Sequence, residues 1–175
     1  MRVLSRAAIV AALFAAPLSA QTSFSVAAGL AMPVGSTADA VKMGYNATLG
    51  LNIKPPLAPI GLRVEGAFNQ FDGKSSAIGT RVLGVIANAT LSGAAMPIPM
   101  GYLIGGVGMY NMSVTDWPAA AGTKPDAVSK VGFNIGAGLN FPLTGFSTFA
   151  EVRFHIVQTE GGSTKFIPIT FGIKF

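Results

Sequence analysis

From Lys165 to Phe175 the chain reads Lys-Phe-Ile-Pro-Ile-Thr-Phe-Gly-Ile-Lys-Phe. Phe175, Ile173, Phe171, Ile169 and Ile167 are all large and apolar. The positions between them, Lys174, Gly172, Thr170, Pro168 and Phe166, are mostly small or polar. A period of two puts the two sets on opposite faces of a β-strand. A strand with one face this apolar needs either a core or lipid to cover it.

The same alternation recurs upstream. Thr22 to Met32 sets Phe24, Val26, Leu30 and Met32 against Ser23, Ser25 and Gly29. Met43 to Lys54 sets Tyr45, Leu49, Leu51 and Ile53 against Asn46, Thr48, Gly50 and Asn52. Ile60 to Phe71 places Leu62, Val64 and Phe68 opposite Arg63, Glu65 and Asn69. Lys130 to Phe141 is the cleanest, with Val131, Phe133, Ile135, Leu139 and Phe141 opposite Gly132, Asn134, Gly136, Gly138 and Asn140. Thr148 to Gln158 sets Val152, Phe154 and Ile156 against Glu151, Arg153 and His155. Two further segments, Ile78 to Leu91 and Met100 to Val114, are apolar on both faces, so the pattern leaves their register open and also admits buried strands of soluble type. With the terminal segment there are eight.

The N-terminus has a different character. Arg2 and Arg6 precede the apolar run Ala7 to Ala16 and then Pro17-Leu-Ser-Ala20, the layout of a secretory signal peptide with cleavage expected after Ala20. Residues 21–175 then form one domain, and loss of the two arginines takes the net charge from +5 to +3. That charge is too small to point to nucleic acid. No cysteine follows the apolar run, so neither a lipid-modified anchor nor a disulfide framework is expected.

Half of the residues are hydrophobic and 11% are charged, well under the roughly 25% of an ordinary soluble domain. The uncharged stretch from Val82 to Thr115 is cut by Gly93, Pro97, Pro99, Gly101, Gly105, Gly106 and Gly108, which leaves too little apolar length for a spanning helix. For an exported, apolar chain of short alternating segments, a closed barrel pairs every backbone donor and acceptor within lipid.

The connections differ in kind from one to the next. Pro55–Pro59, Met96–Pro99 and Pro142–Gly145 are compact and uncharged. Val34–Val41, Asp72–Ala77, Thr115–Ser129 and Thr159–Thr164, with their flanks, hold Asp39, Asp72, Asp116, Asp126 and Glu160 against Lys42, Lys74, Lys124, Lys130 and Lys165. Short turns at one end and longer polar loops at the other are the asymmetry of a bacterial barrel, and an even strand number puts both termini at the short-turn, periplasmic end.

The export signal and the Phe-terminated last strand together resemble the small eight-stranded outer-membrane barrel family, OmpA- and OmpX-like, over the whole of residues 21–175. The resemblance implies an all-β, eight-stranded antiparallel up-and-down transmembrane barrel, with no second domain expected after Phe175. It also implies that Phe171, Ile173 and Phe175 form the signal read by the barrel-assembly machinery.

Within such a barrel the charged inward residues attract notice. Arg63 and Glu65 lie on the third strand and Glu151, Arg153 and His155 on the seventh, diametrically opposite in a ring of eight. A lumen just wide enough for side chains lets them meet across it, so an ion-pair network that plugs the lumen is expected, with a gated narrow pore as the alternative. His155 is the only histidine. Catalysis there would need Ser163 and Glu160 to converge on it; no enzyme activity is expected, nor a metal site or cofactor, because one histidine and scattered carboxylates supply too few ligands. Asn46, Asn88 and Asn111 match the glycosylation sequon, but sit in or beside strands. Gly105-Gly106-Val-Gly108 lacks the helix of a dinucleotide loop. Tyr45, Tyr102, Phe141 and Phe175, near strand ends, read as an interfacial girdle. Trp117, in the longest outer loop, reads as a contact for a partner or for lipopolysaccharide. Expected partners are outer-membrane lipid and lipopolysaccharide, the assembly machinery and an unidentified extracellular partner, without nucleic acid. A soluble periplasmic, lipocalin-like ligand binder is the remaining alternative; its apolar faces would turn inward, and Arg63 and Arg153 would meet water.

Overall fold

A computed structural model describes residues 21–175 apart from 56, 57, 75–77, 94–97 and 99. The signal peptide expected at residues 1–20 lies outside the described residues. Eight strands follow in order: β1 (Gln21–Pro33), β2 (Gly44–Lys54), β3 (Ile60–Phe71), β4 (Gly79–Ser92), β5 (Gly101–Thr115), β6 (Val128–Pro142), β7 (Ser147–Thr159) and β8 (Gly162–Lys174). Each pairs antiparallel with its sequence neighbour, and β8 pairs back onto β1 to close the barrel. Phe175 and Phe24 complete the closure, each backbone N–H donating to the other's carbonyl, at 2.9 and 2.7 Å. A closed ring leaves no strand edge unpaired.

Strand parity decides which residues meet lipid. On β6, Val131, Phe133 and Ile135 are exposed, while Gly132 and Asn134 between them are buried. On β1, Phe24, Val26 and Leu30 face out and Ser25, Ala27 and Ala31 face in. On β8, Phe171 and Ile173 face out and Phe166 and Thr170 face in. The charges do the reverse of what a soluble barrel requires: Arg63 and Arg153 are buried in the lumen, 6% and 3% exposed. An apolar exterior around a polar interior is matched by hydrocarbon. It contradicts the inverted, lipocalin-like arrangement.

The structure also sets the register that β4 and β5 left open. On β4, Val82, Gly84, Ile86 and Asn88 point inward, while Leu83 and Val85 point outward. On β5, Tyr102, Ile104 and Tyr110 point inward, while Leu103, Val107 and Met109 point outward. Tyr102 therefore does not belong to the girdle. It is buried, because its parity on β5 turns it into the lumen. Tyr45, Phe141 and Phe175 are exposed near strand ends, with Tyr45 stacked on Phe68 at 5.9 Å.

One end of the barrel, here the proximal end, carries Gln21, Phe175 and the β2–β3, β4–β5 and β6–β7 connections. The distal end carries the β1–β2, β3–β4, β5–β6 and β7–β8 connections. The asymmetry is less complete than expected, because β7 and β8 stay paired as far as Thr159 and Gly162. Only Glu160 and Gly161 reverse the chain, with Gly161 at φ 79 in the left-handed region that suits glycine. A short helix, α1 (Ser36–Ala40), lies in the first distal loop. It is held by the Lys165 N–H donating to Thr37 Oγ1 at 2.9 Å. Backbone bonds Lys42 N to Asp72 O and Lys74 N to Ala40 O tie this loop to the next one.

Candidate functional site

The lumen is the candidate site, and it is filled in layers. Nearest its middle, four charged residues from opposite walls form a ring. Arg63 Nη1 donates to Glu151 Oε2 at 2.8 Å and lies 3.9 Å from Glu65 Oε2. Arg153 pairs with Glu65 through Nη1 and with Glu151 Oε1 through Nε, the latter at 2.7 Å. Two guanidiniums and two carboxylates give no net charge, which is the condition for burying them together. Neighbours complete the ring. Tyr102 Oη donates to Glu151 Oε2 at 2.6 Å, and Arg63 Nε donates to Asn52 Oδ1 at 2.8 Å. The Arg63 guanidinium lies 5.4 Å from the centre of the Phe149 ring and 5.7 Å from that of Tyr102, within cation–π range.

These large side chains fit because β6 presents glycine to the interior. Tyr102 crosses over its register partner Gly138, and Arg153 crosses over Gly136. A methyl group at Gly132 would lie 2.7 Å from the Tyr110 ring. The alternation of glycine on β6 with long side chains on β5 and β7 is a packing requirement of the narrow lumen.

His155 does not join the ion pairs, although it shares an inward face with Glu151 and Arg153. Further along the barrel, its Nδ1 meets Tyr110 Oη at 2.9 Å, and its ring stacks on Phe166 with centroids 4.9 Å apart. Phe166 packs edge-on against Phe71 at 5.6 Å. Ala31, Ala67, Val82, Ile86 and Val157 surround this group, and Val41 covers it from the first distal loop. An apolar layer therefore lies distal to the ionic one. Asn134 Nδ2 donates to Asn88 Oδ1 at 2.8 Å, and Asn46 Nδ2 to Asn69 Oδ1 at 2.7 Å, so two of the three sequon asparagines are lumen residues. Neither Ser163 nor Glu160 bonds to His155: the one pairs in register with Gln158 and the other is in the distal turn.

Open space remains at both ends. A proximal vestibule of about 600 Å3 reaches Arg63, Tyr102 and Phe149. A distal recess of about 310 Å3 has Phe71 and Met112 in its wall with Thr37, Thr80 and Thr164. Around the distal mouth, Lys130 Nζ donates to Glu160 Oε1 at 2.6 Å, which holds the Glu160 carboxyl below its ordinary pKa. Trp117 is half-buried, with its indole N–H donating to Gly122 O at 3.0 Å inside its own loop. Phe171, Ile173 and Phe175 lie on the outward face beside the β1–β8 seam.

No protein-family model matches the sequence, and no curated protein sequence matches it either. Solved structures do match by shape. Neisserial surface protein A superposes with a TM-score of 0.69 at 13% identity, over 89% of this chain and 97% of that one. A major outer membrane protein from Thermus thermophilus gives 0.58 at 11% identity, over 90% and 98%. Ail, the attachment invasion locus protein of Yersinia pestis, solved with the heparin analogue sucrose octasulfate, gives 0.50 at 17% identity, over 89% and 99%. This chain has the fold of the small eight-stranded outer-membrane barrels. Identities this low carry the fold alone, so the contents of the lumen have to be read from this barrel's own residues.

Several of those residues were missed at the sequence level. Tyr102 and Tyr110 were hidden by the ambiguous face of β5, and Phe71 by its place at a strand end. Asn88 offered a signal for β4, since a polar side chain in mid-strand turns inward in a lipid-embedded barrel. It would have placed Val82 and Ile86 in the lumen as well.

Proposed function

We propose that this chain is an integral protein of a bacterial outer membrane, exported behind a signal peptide at residues 1–20 and inserted as a single domain at 21–175. Its role is structural or surface-interactive rather than catalytic, with a lumen plugged by its own side chains. The observation that carries this reading is sidedness: an apolar belt outside the barrel, and a charge-neutral ring backed by an apolar layer inside it. Outer-membrane lipid and lipopolysaccharide are the partners of the belt. Phe171, Ile173 and Phe175 would present the outward ridge that the assembly machinery reads. The distal loops, with Trp117 among them, are the surface offered to an extracellular partner. Two proteins that share the fold are a surface protein and an attachment invasion locus protein, which supports a role of that class.

Planar-bilayer recording tests the plug. The reconstituted protein is expected to leave the current at baseline, because Arg63, Glu65, Glu151 and Arg153 bridge the lumen. Discrete openings well above baseline would overturn the plug and favour a narrow ion or small-solute pore.

A further inference from the structure

The proximal vestibule has a charge pattern that neither the plug nor the outer belt requires. Lys54 and Lys174 both line it, as does Arg63 at its inner end; among the described residues no aspartate or glutamate does so, and the C-terminal Phe175 is the one lining residue with a carboxylate. The Arg63 charge is answered by Glu151. Neither lysine has an ion-pair partner among the described residues. Lys54 Nζ donates to Ser92 Oγ at 2.9 Å, which uses one of its three N–H groups. Lys174 lies in register between Ser147 on β7 and Ser25 on β1. Ser23, Ser92, Ser147 and Asn140 add neutral polar groups to the same cavity. Two ammonium groups against the single carboxylate of the C-terminal residue leave a net positive charge in a concave mouth walled by protein, which focuses a positive potential, and flanking hydroxyl and amide donors suit an anion with several oxygens.

We propose that this vestibule is a binding site for a small multivalent oxyanion, a solute bearing phosphate or carboxylate groups, held between Lys54 and Lys174. The closed wall keeps lipid headgroups from entering sideways, so the ligand arrives from the aqueous end of the barrel. Placing that end in the periplasm rests on the outer-membrane reading above; the site itself does not.

The test uses residues 21–175 folded in uncharged detergent micelles, titrated with sodium pyrophosphate and separately with citrate while NMR signals are followed. Saturable shifts at Lys54, Ser92 and Lys174, not reproduced by sodium chloride of equal ionic strength, are expected, and the tighter of the two probes assigns the phosphate or carboxylate source. Lys54→Gln with Lys174→Gln should weaken binding roughly tenfold or more by removing two charge-assisted contacts. Lys54→Gln alone, at an exposed side chain, should give an intermediate loss. No saturable shift with either probe, or equal binding by the double variant, would overturn the site. A heat-dependent gel shift recorded on each sample reports the folded barrel separately, so failure of the site and failure of the barrel reading are distinguishable.

Discussion

Glu151→Ala should destabilise the barrel by about 3–5 kcal/mol, the usual consequence of removing one partner from a buried ion pair. Glu151 accepts from Arg63 and Tyr102 and contacts Arg153. Without it, two buried guanidiniums are left to a single carboxylate, Glu65, and the Tyr102 hydroxyl loses its acceptor. Urea titration of the protein folded into phospholipid vesicles reads the change. The same principle gives the opposite result for the whole set: replacing Arg63, Glu65, Glu151 and Arg153 together with apolar side chains of similar volume should be neutral or stabilising. The ring is therefore expected to define how the lumen is filled more than to raise net stability. A loss below about 1 kcal/mol for Glu151→Ala would be the behaviour of a solvated pair, and would mean that water reaches the ring.

Ile135→Arg should cost about 2–4 kcal/mol in the same vesicles, the penalty of a cation on the lipid face near the bilayer midplane. Ile135 lies near the middle of β6 and is 68% exposed, so no protein contact needs to be lost for the effect to appear. Gln158→Arg supplies the comparison. Its side chain is exposed at the distal end of β7, where the penalty falls to about 0–1 kcal/mol. A barrel with water outside would show both substitutions within about 0.5 kcal/mol of zero, as exposed positions do. The ratio of the two effects thus reports depth in lipid independently of barrel packing.

The sequence revealed the fold wherever the two faces of a strand differ in chemistry. On β6, valine, phenylalanine and isoleucine alternate with glycine and asparagine, so inside and outside can be read directly. On β7, Glu151, Arg153 and His155 mark the lumen, and the opposed walls of an eight-membered ring bring the first two to Arg63 and Glu65. The pattern failed on β4 and β5, because the lumen wall that these two strands supply is itself largely apolar. Val82, Ile86, Ile104 and Tyr110 are as hydrophobic as Leu83, Val85, Val107 and Met109, so a period of two carries no contrast there. The misreading of Tyr102 and His155 follows from the same gap. Tyr102 near a strand end has the composition of a girdle residue until its parity is known, and the partner of His155 is a tyrosine on the strand whose register was open. The proximal lysines were legible as inward residues of their strands. Their convergence in one vestibule depends on closure of β8 onto β1, which no local pattern encodes.

Gel mobility of protein taken from fractionated outer membrane, with and without boiling, distinguishes an integral outer-membrane barrel from a soluble one. A folded barrel in detergent should migrate differently from the boiled chain, and the protein should be found in the outer-membrane fraction. Identical mobility before and after boiling, with the protein recovered from the soluble periplasmic fraction, would mean that the chain is not a membrane barrel.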